Sequence, residues 1–196
     1  MKTQLLISAK VIALSLVLLG VVYPLLIFVA GQALFPFRAG GSIVKEGSRV
    51  LGSELIAQDF SLPGYFQPRP SACDYDPSSS GGSNLGPTNP KLLEIYRDRI
   101  QRLSLTNGGA SAGVPFELVA ASASGLDPHI SLGAALWQLP RIARARSLPR
   151  QRVEELVRKN ADPPFLGFVG EWRVNVFDLN RQLDRLRPEE EAKKDE

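Results

Sequence analysis

The pattern of apolar and polar positions changes character along this chain. From Val11 to Ala30 runs VIALSLVLLGVVYPLLIFVA, twenty residues without a charge. A helix rising about 1.5 Å per residue crosses a hydrocarbon core of about 30 Å with that length, and it tolerates Gly20 and Pro24. Phe35 and Phe37, just before Arg38, suit the far interface. A cleaved signal peptide would carry an apolar region of about 7–15 residues, so the longer run favours a retained anchor. Lys2, Lys10 and the amino terminus favour an inside N-terminus, although Arg38, Lys45 and Arg49 lie close on the other side.

Beyond the anchor the pattern is irregular and then periodic. Residues 38–50 read as a connector of Gly, Ser and charge, and GSELIAQDF (52–60) offers Leu55, Ile56 and Phe60 for burial. Residues 61–90 are dense in Pro, Gly, Ser and Asn. Their aromatics Tyr65, Phe66 and Tyr75 argue for a long, shaped loop rather than disorder. Asn89-Pro90 reads as the N-cap and first position of a helix whose Leu93, Tyr96, Ile100 and Leu103 make one apolar face. Asn107-Gly108-Gly109 breaks it, and Val114-Pro115 opens a short apolar segment. Asp127-Pro128 or Ser131 caps a helix through Leu132, Leu136, Leu139 and Ile142, which Pro140 should kink or shorten. Pro149 opens another, with Val153, Leu156 and Val157 inward. Arg173–Phe177 is a strand or the approach to a helix, and Val176, Leu179, Leu183 and Leu186 form a last stripe.

These elements predict an α+β protein: one N-terminal transmembrane helix followed by a single helix-rich extracytoplasmic domain with a small sheet. The divisions are 1–37 for tail and anchor, 38–50 for the connector, 51–187 for the domain, and 188–196 for a charged, solvated tail.

Charge and rare residues narrow the function. The net charge is +3, but Lys2 and Lys10 flank the anchor, which leaves 21 basic against 20 acidic side chains from residue 38 onward. That balance argues against a nucleic-acid partner. A single cysteine, Cys73, excludes an internal disulfide, and with a single histidine it excludes a His/Cys zinc site.

Catalytic signatures are sparse. The chain has no GxxxxGK[ST], and the string around Ser83, GSNLG, has the wrong order for a GxSxG elbow. An anchored, exported hydrolase would have to use Ser83 or Ser124 with His129. Asp127-Pro128-His129 reads more simply as a turn with a capping carboxylate. Arg141, Arg144 and Arg146 read as a solvated helix face, since Ile142, Ala143 and Ala145 fill the positions between. No catalytic residue and no metal site is expected.

Four stretches, YFQPRPSA (65–72), SGGSNLGPTNP (80–90), VPFELVAASASGLDPHIS (114–131) and GEWRVNVFDLN (170–180), closely resemble the C subunit of the Kdp high-affinity potassium-transporting ATPase of bacteria. Their order and spacing cover nearly the whole chain. The resemblance implies a pump in the bacterial inner membrane with a channel-like A subunit, a P-type ATPase B subunit and a small F subunit as partners beside the lipid. The C subunit would keep its N-terminus inside and its domain outside. Potassium and ATP would be handled by the complex, with no cofactor bound by this chain. Two roles follow from the resemblance: assembly and stabilisation over the entry side of the A subunit, or a catalytic chaperone that raises the ATP affinity of the B subunit. An outer domain cannot touch cytosolic ATP, which favours assembly. The matched residues, expected as family-motif or partner-contact positions, are Arg69, Pro70, Ser71, Ser80, Gly81, Gly82, Ser83, Asn84, Gly86, Ser122, Ser124, Gly125, Asp127, Pro128, His129 and Asn175. Trp172 stands where that family often has Pro.

Overall fold

The computed structural model describes residues 1–108 and 113–186. Gly109 of the expected break and the charged tail 188–196 lie outside the described residues. The chain forms two compact units, Met1–Ser53 and Glu54–Glu196.

In the first unit, α1 (Lys2–Val17) passes through a π-helical turn (Leu18–Val22) into α2 (Tyr23–Leu34). Together they make 33 continuous helical residues, long and apolar enough to cross a membrane. The helix exceeds the expected span at both ends and includes Lys10. The π-turn has a local cause: Pro24 has no N–H for the carbonyl of Gly20, and its ring crowds that carbonyl, so the ladder widens just before it. A short turn, α3 (Pro36–Ala39), precedes a β-hairpin of β1 (Ile43–Glu46) and β2 (Arg49–Ser53). The strands pair antiparallel, Ile43 opposite Ser53 and Glu46 opposite Arg49. The stretch read as a connector thus contains paired strands, closed by Gly47 at positive φ.

The second unit is built on three helices and a small sheet. The sheet runs β3 (His129–Ser131), β5 (Arg173–Asn175), β4 (Ala161–Asp162), all antiparallel. His129 faces Asn175 and Ile130 faces Val174 across β3 and β5. Ile130 and Val174 point inward and are fully buried. They meet α5 (Leu132–Arg146), α6 (Arg150–Lys159) and α7 (Val176–Leu183), with α6 packed against both α5 and α7. Leu139, Ile142, Val153, Val157, Leu179 and Leu183 supply the core, with Phe66 inserted from the long loop. Leu186 adds to the last stripe from beyond the helix.

Several expectations resolve into specific capping. Asn89 Oδ1 accepts from Lys91 N at 2.9 Å, with Pro90 first in α4 (Pro90–Thr106). Ser131, rather than Asp127, caps α5: its Oγ accepts from Ala134 N at 3.1 Å. Helix α5 runs six residues past Pro140 instead of ending there. It stops at Ser147, in the left-handed conformation, where Leu148 N returns to Ala143 O at 3.0 Å. Residues 173–177 are both things foreseen, a strand that turns directly into α7.

The apolar face of α4 is rotated from the expected one. Leu93 and Ile100 are exposed, and the half-buried stripe is Leu92, Ile95, Tyr96, Arg99 and Leu103. Arg99 belongs to it because its Nη1 donates to Val119 O at 2.7 Å, so a cation occupies a packed position that the sequence pattern reads as a polar gap. Leu55 is also exposed, and the neighbouring Ala57 is buried in its place, with Ala57 N donating to Leu126 O at 2.9 Å.

Candidate functional site

Most of the sequence-derived candidates lie on two loops that bond to each other. Ser122 N donates to Pro70 O at 3.0 Å, and Gly81 N to Ser124 O at 2.8 Å. Ser80 Oγ also donates to Ser124 O, at 3.0 Å. Ser71 Oγ accepts from Cys73 N and Tyr75 N at 3.1 and 3.0 Å, which curls its own segment. Gly125, at φ +71°, lies where these strands of chain cross. A Cβ there would stand 2.4 Å from Cys73 Sγ and 2.9 Å from Gly81 O, so only glycine fits. Pro70, Ser71, Ser80, Gly81, Gly82, Ser122, Ser124 and Gly125 therefore lie in a loop knot held by hydrogen bonds within and between its two segments.

The long loop is tied to the helices by buried amides. Phe66 N donates to Asn180 Oδ1 at 2.8 Å, and Asn180 Nδ2 donates to Phe66 O at 2.9 Å. Gln67 N and O make the same double contact with Gln138, at 2.9 and 3.1 Å. Arg141, only 6 % exposed, donates to Gln138 Oε1 (2.7 Å), Asn107 Oδ1 (3.2 Å) and the carbonyls of Tyr65 (2.9 Å) and Pro63. Burial pushes its guanidinium down to about 10, still charged at neutral pH. Arg146 donates to Gly64 O at 2.8 Å, pairs with Asp184 at 2.7 Å and lies over the Tyr65 ring. The arginine run is thus not a solvated face. Two of its members hold the loop, and Arg144 donates to Gly108 O at 2.8 Å. Neither Gln138 nor Arg141 announces this in sequence, because a polar residue on an apolar helix stripe looks like a break in the stripe.

Arg69, Asp127 and His129 meet at one edge of a cleft of about 470 Å³. Arg69 Nη1 is 3.3 Å from Asp127 Oδ2, and Arg69 Nε is buried without a partner. Asp127 Oδ1 accepts from His129 N at 3.0 Å, so the carboxylate fixes the entry into β3 rather than a helix. The His129 ring, its Nδ1 3.8 Å from Asp127 Oδ1, acts first on Asp127. With the His129 N–H and Arg69 it holds this carboxyl below its usual range. Glu117, which sequence reasoning missed, accepts from Ser131 N at 2.9 Å and from Ser131 Oγ. Pro163, Pro164, Phe165, Val169, Glu171 and Arg173 close the far side.

The remaining candidates lie elsewhere. Ser83 lines a separate depression with Leu85, Lys91 and Leu92. Asn84 is exposed in the left-handed region, and Gly86 O accepts from Asn89 N at 3.0 Å. Pro128 O accepts from Val176 N at 2.9 Å. Asn175, opposite His129, caps α7 through Asp178 N (3.2 Å) and donates to Glu54 O at 2.8 Å. No catalytic triad is assembled among the described residues: Ser124 Oγ accepts from Leu126 N at 3.1 Å, and neither Ser83 nor Ser124 is bonded to His129.

Comparison with known proteins bears on the whole of this arrangement. The KdpC family, described as "K+-transporting ATPase, c chain", matches residues 5–185. The chain is 50% identical over 174 residues to the potassium-transporting ATPase KdpC subunit of Polaromonas naphthalenivorans, across 87% of this chain and 89% of that one. It is 47% identical over 174 residues to the subunit of the same name in Escherichia coli, covering 87% and 92%. To that of Methylococcus capsulatus it is 50% identical over 171 residues, covering 86% and 90%.

Proposed function

We propose, since the chain belongs to the KdpC family of K+-transporting ATPase c chains, that it is an accessory subunit of an ATP-driven potassium pump whose task is assembly rather than chemistry. It holds a channel-like A subunit and a P-type ATPase B subunit together, with the small F subunit completing the set. Its helix anchors it in the bacterial inner membrane, N-terminus inside, with the Glu54–Glu196 unit outside. Potassium and ATP are handled by the other subunits. Any rise in the ATP affinity of the B subunit would reach it through the membrane helices and the A subunit, because an outer domain has no access to cytosolic nucleotide.

The observation that carries this reading is where the family-motif residues direct their polar groups. Pro70 pairs with Ser122, Ser80 and Gly81 pair with Ser124, and Ser71 accepts from the backbone of Cys73 and Tyr75, which shapes a surface and leaves no nucleophile beside a base. Tagging the C-terminus, solubilising membranes of potassium-starved cells in mild detergent and identifying what co-purifies tests it. Recovery of a channel-like protein and a P-type ATPase is the expected result. Repeated recovery of the chain alone, where those subunits are present, would overturn the proposal. ATP hydrolysis by the purified, partner-free chain would overturn its non-catalytic part.

A further inference from the structure

The segment between β4 and β5 inverts the usual distribution of side chains. Phe165, Leu166, Phe168, Val169 and Trp172 are between 48 and 78 % exposed, within eight residues. This is not slack chain. Phe165 and Val169 exchange backbone hydrogen bonds, both 2.9 Å, and Gly167 N donates to Pro164 O at 3.0 Å. Leu166 is held at φ 53° and Gly167 at 83°. A leucine in the left-handed region is disfavoured by steric contact of its Cβ, so the turn maintains an outward leucine at a cost to the fold. Clusters of this kind on a folded domain mark contact surfaces.

The surroundings decide what covers it. Phe165 and Val169 also line the 470 Å³ cleft, so the apolar tip and the charged cleft form one continuous surface. Three carboxylates, Glu117, Asp127 and Glu171, face two guanidinium groups, Arg69 and Arg173. Asp127 is matched by Arg69, Glu117 is bonded to Ser131, and Arg173 leans on Asp162 at 3.8 Å. Glu171 makes no hydrogen bond or ion pair among the described residues. A lipid surface would press anionic headgroups against this open carboxylate. A protein surface with a basic side chain beside an apolar patch would satisfy both parts, in the manner of an aromatic anchor with a polar surround.

We propose that the Pro163–Trp172 loop and the cleft behind it dock another subunit of the same pump, through an apolar patch carrying a lysine or arginine that pairs with Glu171. The proposal rests on the accessory-subunit reading above. The test uses the full-length tagged chain in native membranes, with Phe168→Ser, Leu166→Gly, Glu171→Lys and, as a control on exposed apolar surface elsewhere, Leu105→Ser. Leu166→Gly guards against misfolding, since glycine accepts that backbone conformation more easily than leucine. Recovery of the other pump subunits should fall about tenfold or more for Phe168→Ser, Leu166→Gly and Glu171→Lys, and stay at the wild-type level for Leu105→Ser. A photo-crosslinking residue at position 168 should form its adduct with a pump subunit. Undiminished recovery for the three loop variants, or an adduct with lipid alone, would overturn the docking surface while leaving the accessory role standing. Failure of the unmodified chain to recover any pump subunit would remove both.

Discussion

The loops at 63–82 and 163–172 both leave regular structure, both use left-handed residues, and yet they face their side chains in opposite directions. The first turns the backbone polar groups of residues 63–67 inward, onto Gln138, Arg141 and Asn180, and buries Phe66 completely. The second closes its backbone on itself and directs Phe168 and Leu166 at solvent. A polar, glycine-containing loop attracts notice as a binding surface, but here its stretches at 63–67 and around Ser71 and Gly81 are bonded internally. The loop that offers unsatisfied surface is the apolar one, and its composition resembles core. Backbone hydrogen bonds tie both. What differs is which part of the side-chain complement is left over for a second molecule.

Removing the centre of the inward network should produce the largest effect. Arg141→Met would take the partner from Asn107 Oδ1 and the Pro63 and Tyr65 carbonyls, and one of two donors from Gln138 Oε1, in a buried site. The expected loss is about 3–5 kcal/mol in denaturant unfolding followed by circular dichroism. A loss below about 1 kcal/mol would mean the long loop stands without its clamp. Gly125→Ala places a methyl group against Cys73 Sγ and the Gly81 carbonyl and should cost about 2–3 kcal/mol. Adding Cys73→Gly to it should restore part of that loss, because the thiol is the nearest obstacle.

Acid and base should then separate the two loops. Asp127, whose carboxyl is depressed in the fold, contributes stability that is present above its unfolded value of about 4 and disappears as pH falls through the folded one. Asp127→Asn should therefore flatten the acid limb of thermal stability. Tyr75 is pushed up to about 12, by burial first and then by Asp59. Its contribution is intact below about pH 10 and is lost between there and about 12, which ultraviolet titration of the phenol can follow. Residues 163–170 carry no ionisable side chain, so Phe168→Ser should leave both limbs unmoved. The smallest effect sharpens the contrast most: Leu166→Gly should raise stability, by about 0.5–1 kcal/mol, while weakening association. A variant that gains stability and still assembles normally would show that the outward leucine has no partner.

The sequence carried the helices and their caps well where one local rule decided. Asn89-Pro90, Ser131 and the Val153/Leu156/Val157 stripe behave as capping and periodicity predict. It misjudged α4 and the arginine run for one shared reason: Arg99 and Arg141 have long apolar stems and end on backbone carbonyls from distant segments. A pattern that counts charge as solvent-facing turns such residues outward. The candidate site was legible as a set of motifs, and the knot around Gly125 unites many of them. That Glu117, Glu171 and Phe165 share a cleft with Arg69 and His129 was not legible, because the pairing of β3 with β5, more than forty residues further on, brings them together.

The twin amide clamps have a consequence for the chain before it meets any partner. Asn180 and Gln138 each grip one residue's N–H and C=O together, as a neighbouring strand would. The extended stretch through Phe66 and Gln67 is thereby given a surrogate ladder made of side chains. Its backbone offers no open edge on which a stray strand could template, so a subunit waiting alone in the membrane for its complex is guarded against pairing with copies of itself at this point.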